Sequence, residues 1–350
     1  MGENGFNNGI VTDKTLFETE LESYDTIYSF KVTAVNEGGE SFESEILSVG
    51  IKSGNTNNVL IINGFDRISG PAWIDSENLA GVAWWDDRGV ADHSEIIAVG
   101  DQYDFNRKNP WLDDDSPGWG ASYSDMAGRI IPGNSFDYPC IHGKAIMKAG
   151  HSFYSASDEY FCSADFKPSF FKIVDLIFGE EKSTGFFNDT SRIDFRIYTP
   201  EFMKKIIELT RSGTGIFMSG SYVGSDLITP GDSSAIKFAR EYLHFLPRTG
   251  HSVKIGEAYA TDYAKPAFSG TFNFNTDYSG PVYAAEAPDA IEPSDKAAIC
   301  AFRYEENNSS AGVVYRGIYR TVVLGFPFET ITSGEQRDIL MKQVLDFFEK

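Results

Sequence analysis

The residues with the types to do chemistry fall into two groups. The first comprises Ser219 and Ser221, in the run GIFMSGSYVGSDL from Gly215 to Leu227, and Glu180 in VDLIFGEE. A strand, a tight turn of small residues and a following helix is the order that exposes a serine nucleophile. Neither serine sits in G-x-S-x-G, and spacing pairs no histidine with either, so ordinary turn chemistry is the competing reading.

The second group lies between Gly64 and Phe136. All five tryptophans, Trp73, Trp84, Trp85, Trp111 and Trp119, fall there among Asp86, Asp87, Asp101 and Asp104. A flat ring stacks on the apolar face of a pyranose and carboxylates accept hydrogen bonds from hydroxyls, so the mixture suits sugar recognition. The competing reading is a private mini-core of packed rings. In the same stretch Tyr103 and His93 are base types able to take a proton from a uronate ring, with Arg88 and Arg107 as types that neutralise its carboxylate. The triplet Asp113, Asp114 and Asp115 offers oxygen ligands, with Asp113 and Asp115 the metal candidates. It lacks the spaced pattern of a calcium loop and reads as a solvated turn, so no metal is expected.

No G-x-G-x-x-G, G-x-x-x-x-G-K-[ST] or H-E-x-x-H occurs, so no cofactor is expected. His142 and His244 fall on predicted helices, where an interior hydrogen-bonded role is the usual one. Cys140, Cys162 and Cys300 show no CxxC pair and read as buried free thiols. The formal charge of −21 opposes nucleic acid and anionic membranes as partners. No apolar run approaches a membrane span, and the opening MGENGFNNGIVTDK lacks a signal-peptide pattern.

The elements that must position these groups follow from hydrophobic periodicity. Short apolar runs at Val59 to Ile62, Phe170 to Phe178, Gly215 to Met218 and Thr321 to Phe326 read as buried parallel strands, with His151 to Ser155 a weaker candidate. Amphipathic stretches at Tyr138 to Lys148, Pro200 to Arg211, Ser233 to Leu246 and Ser333 to Phe348 read as helices. Strands alternating with helices predict an α/β fold, a three-layer sandwich around a mostly parallel sheet. Ala267 to Tyr319 reads instead as short antiparallel strands. Ligands of such sheets sit at the strands' carboxyl ends, here Asn63, Gly64 and Asp66, then Glu180 and Glu181, then Ser219 to Ser221. The connection from Gly64 to Phe136 is too long for a loop and is expected to be an insertion, spanning 64–135.

Thr26 to Val35 alternates as a half-buried strand, and after NEGGES the run SEILSVGI supplies a second. The pattern Y-x-F-x-V-x-A-V-N-x-x-G-x-S resembles the last two strands of a fibronectin type III domain. That resemblance implies a partial β-sandwich over 1–51, with its first strands and any signal peptide upstream; a hairpin pad native to the large domain is the alternative. The order of VDLIFGEE, GIFMSGSYVGSDL and VVLGFPFETI resembles class I glutamine amidotransferase-like, flavodoxin-like domains, which implies such a domain over 58–350. Where that family carries cysteine in G-x-C-x-G, this chain has serine and glycine.

At closer range, NVLIINGFDRISGPAW, DDRGVADHSEIIAVGDQYDF, WLDDDSPGWGASYSD, SFDYPCIHGKAI and GFPFETI look like a bacterial family labelled xanthan-lyase-like. The resemblance implies a secreted or cell-surface module, with upstream modules on the same polypeptide and a polysaccharide or peptidoglycan glycan as partner. Two roles are expected from it. One is an accessory glycan-binding or cell-envelope module; the other is a carbohydrate-active enzyme, either a polysaccharide lyase or a serine-type hydrolase.

Overall fold

The computed structural model describes residues 6, 9–54, 57–68, 72–83, 90–91, 94–95, 100–167, 170–186, 189–228, 231 and 233–350. Among these, one eleven-stranded sheet organises the molecule. In chain order its strands are β1 (Ile27–Phe30), β2 (Leu47–Gly50), β3 (Asn58–Asn63), β4 (Ser152–Ser157), β5 (Ile173–Gly179), β6 (Gly215–Gly220), β7 (Glu257–Ala260), β8 (Thr271–Asn273), β9 (Ala298–Tyr304), β10 (Ser310–Arg316) and β11 (Arg320–Leu324). Across the sheet the order is β1-β2-β4-β3-β5-β6-β11-β10-β9-β7-β8.

The centre is parallel. β3 lies between β4 and β5, and β5 is followed by β6 and β11, all in parallel register. The four apolar runs expected to lie parallel do so, and the weak fifth at 151–155 joins them as β4. Their residues are apolar without alternation because both faces are covered. On β3, Val59 and Ile61 belong to the core shared with helices α1 (Tyr138–Lys148) and α5 (Gly334–Glu349), while Leu60 and Ile62 point into the core shared with α3 (Pro200–Arg211). Each such fully buried side chain contributes roughly 1.5–3 kcal/mol.

Local signals set the helix ends. Thr199 accepts a hydrogen bond from the Phe202 N–H at 3.2 Å and Pro200 occupies the first turn, so α3 starts where an N-cap and a proline coincide. Phe202, Ile206 and Leu209 then recur on its buried stripe. Ser333 caps α5 in the same way, through the Gln336 N–H. The helix expected over Ser233 to Leu246 is shorter: α4 (Ser233–Phe238) passes into a π turn at Ala239–Leu243, and His244 takes φ 61° before the chain turns extended.

The expectation of a mostly parallel sheet is corrected. Beyond β11 and β4 every pairing is antiparallel, six of the ten in the sheet. The physical reason is connectivity: β9, β10 and β11 follow one another through short turns, and a hairpin connection imposes antiparallel pairing. The result is a mixed sheet in an α/β fold. Its antiparallel flank includes the short strands expected within 267–319.

At the opposite edge β1 pairs with β2, and β2 reaches β4 through Gly50 and Phe153. The Ser48 N–H donates to Ser155 Oγ at 2.6 Å. The N-terminal hairpin is therefore continuous with the large sheet, with β1 at its outer edge.

Candidate functional site at the strand ends

Because β4 lies on one side of β3 and β5 on the other, the strand order reverses at β3, and the carboxyl ends at such a reversal are where α/β sheets place their ligands. Register decides what converges. Asn63 at the end of β3 is level with Ser157 at the end of β4 and with Ile177 on β5. Asp158 and Glu159 follow at once, as the first turn of the short helix α2 (Asp158–Cys162). Because β2 runs antiparallel to β4, the residues just before it meet those just after β4, and this places Glu45 among them.

One carboxylate oxygen from each of Asp66, Asp158 and Glu159 lies within 4.8 Å of the others. Asn63 donates its amide N–H to Glu45 Oε2. Burial, and then the negative neighbours, hold protons on these acids: Asp66 is pushed up to about 6, Glu45 to about 7 and Asp158 to about 8. Buried Glu181, next along, is raised well above the usual carboxylate range by desolvation and by Asp66, although its Oε2 accepts the Arg67 N–H at 3.0 Å.

The next strand ends carry the serines. Ser221 donates its hydroxyl to Glu180 Oε1, and both side chains are buried. Ser219 is buried as well, its Oγ without a hydrogen-bond partner. The turn after β6 leads to a single 3₁₀ turn, Ser225–Leu227, whose leading amides Gly224 N and Ser225 N are held by Asp289 Oδ2 at 2.7 and 2.6 Å. Among the described residues no histidine bonds to either serine. His142 bridges Asp175 at 2.8 Å and Glu329 at 3.3 Å, His151 meets Glu349, and His244 meets Asp295 and Tyr319. Glu180 and Ser221 are thus brought together as an interior hydrogen-bonded pair.

The insertion forms a separate surface. A hairpin of Ala72–Asp75 and Ala80–Ala83 carries Trp73, and Gln102 ties it to the following segment through Val82 N, Ala80 O and Asp104 O. Trp119 donates its indole N–H to Ala80 O at 2.8 Å, with the Arg107 guanidinium 5.5 Å from its ring centre. Trp73 is 69% exposed, Trp111 65% and Trp119 48%, so a private core accounts for none of the three. Exposed Tyr103 and Tyr123 stand together nearby, ring centres 4.9 Å apart. Asp101 accepts the Tyr123 N–H at its carbonyl, and Arg107 ion-pairs with Asp75. Asp113 Oδ1 accepts the amides of Asp115 and Ser116, the geometry of a tight polar turn. Trp84, Trp85, Asp86, Asp87, Arg88 and His93 lie outside the described residues.

The sequence reading named Asn63, Asp66, Glu180 and Glu181 as strand ends but missed Glu45, Asp158 and Glu159. The available signal was SFYSASDE, a run leading straight into two acids. Of the thiols expected to be buried, Cys140 is; Cys162 and Cys300 are half-buried.

No protein-family model matches the chain, and no curated protein matches it. Among solved structures 28 chains match. One is the exo-β-1,4-mannosidase Op5Man5 from Opitutaceae bacterium strain TAV5, 12% identical, with a TM-score of 0.35, covering 61% of this chain and 31% of that one. This chain therefore spans about a third of that structure, and at such a score the likeness carries no argument. Among the described residues no helix is long and apolar enough to cross a membrane.

Proposed function

We propose that this chain is a glycan-binding accessory module of a secreted or cell-surface, polysaccharide- or peptidoglycan-processing protein of the xanthan-lyase-like kind, built on a three-layer, glutamine amidotransferase-like α/β unit. The observation that carries the reading is the exposure of Trp73, Trp111 and Trp119 on one insertion that also exposes Tyr103 and Tyr123. Exposed aromatic rings offer flat faces on which sugar rings stack.

The test is calorimetric titration of the whole chain against a panel of acidic and neutral polysaccharides and peptidoglycan fragments. Saturable binding that Trp111→Ala or Trp119→Ala weakens supports the reading, and absence of binding across the panel overturns it. A second reading, a lyase acting at the same surface, is favoured by the exposure of Tyr103. It requires ultraviolet absorbance of an unsaturated uronate product to appear with acidic polysaccharides and to vanish in Tyr103→Phe while binding survives.

A further inference from the structure

We propose that the groove between α1 and α5 is a binding pocket for a small hydroxylated carboxylate. A cavity of about 340 Å³ opens there, walled by Lys144 and Lys148 of α1 on one side and by Gly334, Arg337 and Asp338 of α5 on the other. That volume falls at the low end of the range for small-molecule sites. Half-buried Ile141 and buried Ala145 supply its apolar lining. Lys144, Lys148 and Gly334 are exposed, so a ligand reaches it directly from solvent.

The lining inverts the charge balance of the chain. Acids outnumber bases 51 to 30 over the whole sequence, yet three bases and one acid, Asp338, line this cavity. Lys144 and Lys148 stand one helical turn apart on α1, where like charges repel, and among the described residues neither forms an ion pair. An anion between them turns that repulsion into attraction. Arg337 is held in place by its own surroundings. Its Nη1 donates to the Ile331 carbonyl, and a Cβ added at Gly334 would stand 3.7 Å from its Nη2, so the second nitrogen lies against the Gly334 wall. A guanidinium anchored at one nitrogen presents its remaining N–H groups as a fixed fork, which matches the two oxygens of a carboxylate. Asp338 then decides which anion fits. Its carboxylate accepts hydrogen bonds from hydroxyls and repels a doubly charged phosphate, so the lining selects a singly charged acid that carries hydroxyls.

The pocket shares no residue with the aromatic surface of the insertion, so each can fail alone. Sodium gluconate is the probe, titrated calorimetrically into the whole chain at low ionic strength. Sorbitol lacks its carboxylate, acetate lacks its hydroxyls, and inorganic phosphate brings a second charge. One saturable gluconate site is expected, with a Kd on the order of 1 mM and binding at least about tenfold weaker for each of the other three. Lys144→Gln with Lys148→Gln keeps most of both exposed stems. This double variant is expected to melt as the parent does and to bind gluconate at least about tenfold more weakly. Arg337→Lys keeps the charge, gives up the fork, and is expected to weaken gluconate about tenfold. The proposal is overturned by absence of saturable gluconate heat up to about 50 mM. It is equally overturned if sorbitol, acetate or phosphate binds as tightly as gluconate. Unchanged gluconate affinity in the lysine double variant or in Arg337→Lys would place the binding elsewhere on the chain and overturn it as well.

Discussion

His142 on α1 and Asp175 in the middle of β5 meet across 2.8 Å, ring nitrogen to carboxylate, with both side chains out of contact with water. The other ring nitrogen faces Glu329 Oε2 at 3.3 Å, and Tyr283 donates its phenol to Glu329 Oε1 at 2.6 Å. This chain of polar groups pins α1, β5 and the segment after β11 to one another through the core. Removing one partner strands a buried charge, so Asp175→Ala is expected to lower unfolding free energy by about 3–5 kcal/mol in urea titration. A loss below about 1 kcal/mol would show that the pair is dispensable.

The same pair predicts a pH dependence. Burial opposes a charged imidazole, but the charge and hydrogen bonds of Asp175 and Glu329 outweigh it and raise His142 to about 9 from an ordinary 6.5. The folded state therefore keeps a proton that the unfolded chain has lost. The resulting stability is fully present below pH 6.5 and disappears as pH rises through 9, on the order of 3 kcal/mol. Urea unfolding at pH 6 and pH 9.5 measures it, and the difference should shrink in His142→Gln.

The strand-end acids act in the same direction over a lower window. Asp66, Glu45 and Asp158 are raised from 3.8, 4.5 and 3.8 to about 6, about 7 and about 8, so the folded chain binds more protons than the unfolded one. Their contribution to stability is fully present near pH 4 and is lost as pH rises through about 6 to 8. Melting curves across that range check the sign. An Asp66→Asn, Asp158→Asn variant that keeps the parent's full change in stability between pH 5 and 8 would contradict it.

Gly179, at the end of β5, takes φ 42°, and a Cβ there would sit 2.0 Å from the Phe65 ring. Gly179→Ala should therefore cost about 1–3 kcal/mol through strain and overpacking, read as a shift in the urea midpoint. Because Phe65 begins the insertion, the substitution also tests whether the strand-end packing is relayed to it. Tryptophan fluorescence in the variant should change along with stability.

Ser221→Ala separates scaffold from nucleophile. Loss of the hydroxyl leaves buried Glu180 without that donor, and a cost of about 1–3 kcal/mol is expected with glycan binding unchanged. Loss of an activity with full retention of stability would instead assign the serine to chemistry.

Much of the parallel centre was legible in the sequence. Its strands are apolar on both faces, and α1 and α3 occupy Tyr138–Lys148 and Pro200–Arg211, the segments that amphipathic periodicity marks out. The mixed character of the sheet was less legible, because pairing direction follows from connectivity that residue periodicity does not carry. Ser219, Ser221 and Glu180 were picked out by type, but a run of letters does not tell a buried hydroxyl from an exposed one. The convergence of Glu45 on Asp158 was not legible at all. It arises from strand register between segments more than a hundred residues apart, and no local pattern encodes that.

The hydrogen bond from Asn57 to Glu349, at 2.9 Å, and that between His151 and Glu349, at 2.7 Å, bring the first residue before β3 beside the last turn of α5. The α/β body from 57 to 350 is thus a nearly closed loop of chain. A short glycine-rich bridge from 350 to 57, with new ends opened in the exposed turn at Glu305 to Asn308, would give a circularly permuted protein with every central strand pairing kept. The same closeness means that a pull applied at these two points acts across one short span, between the amino end of the central strand β3 and the last turn of α5.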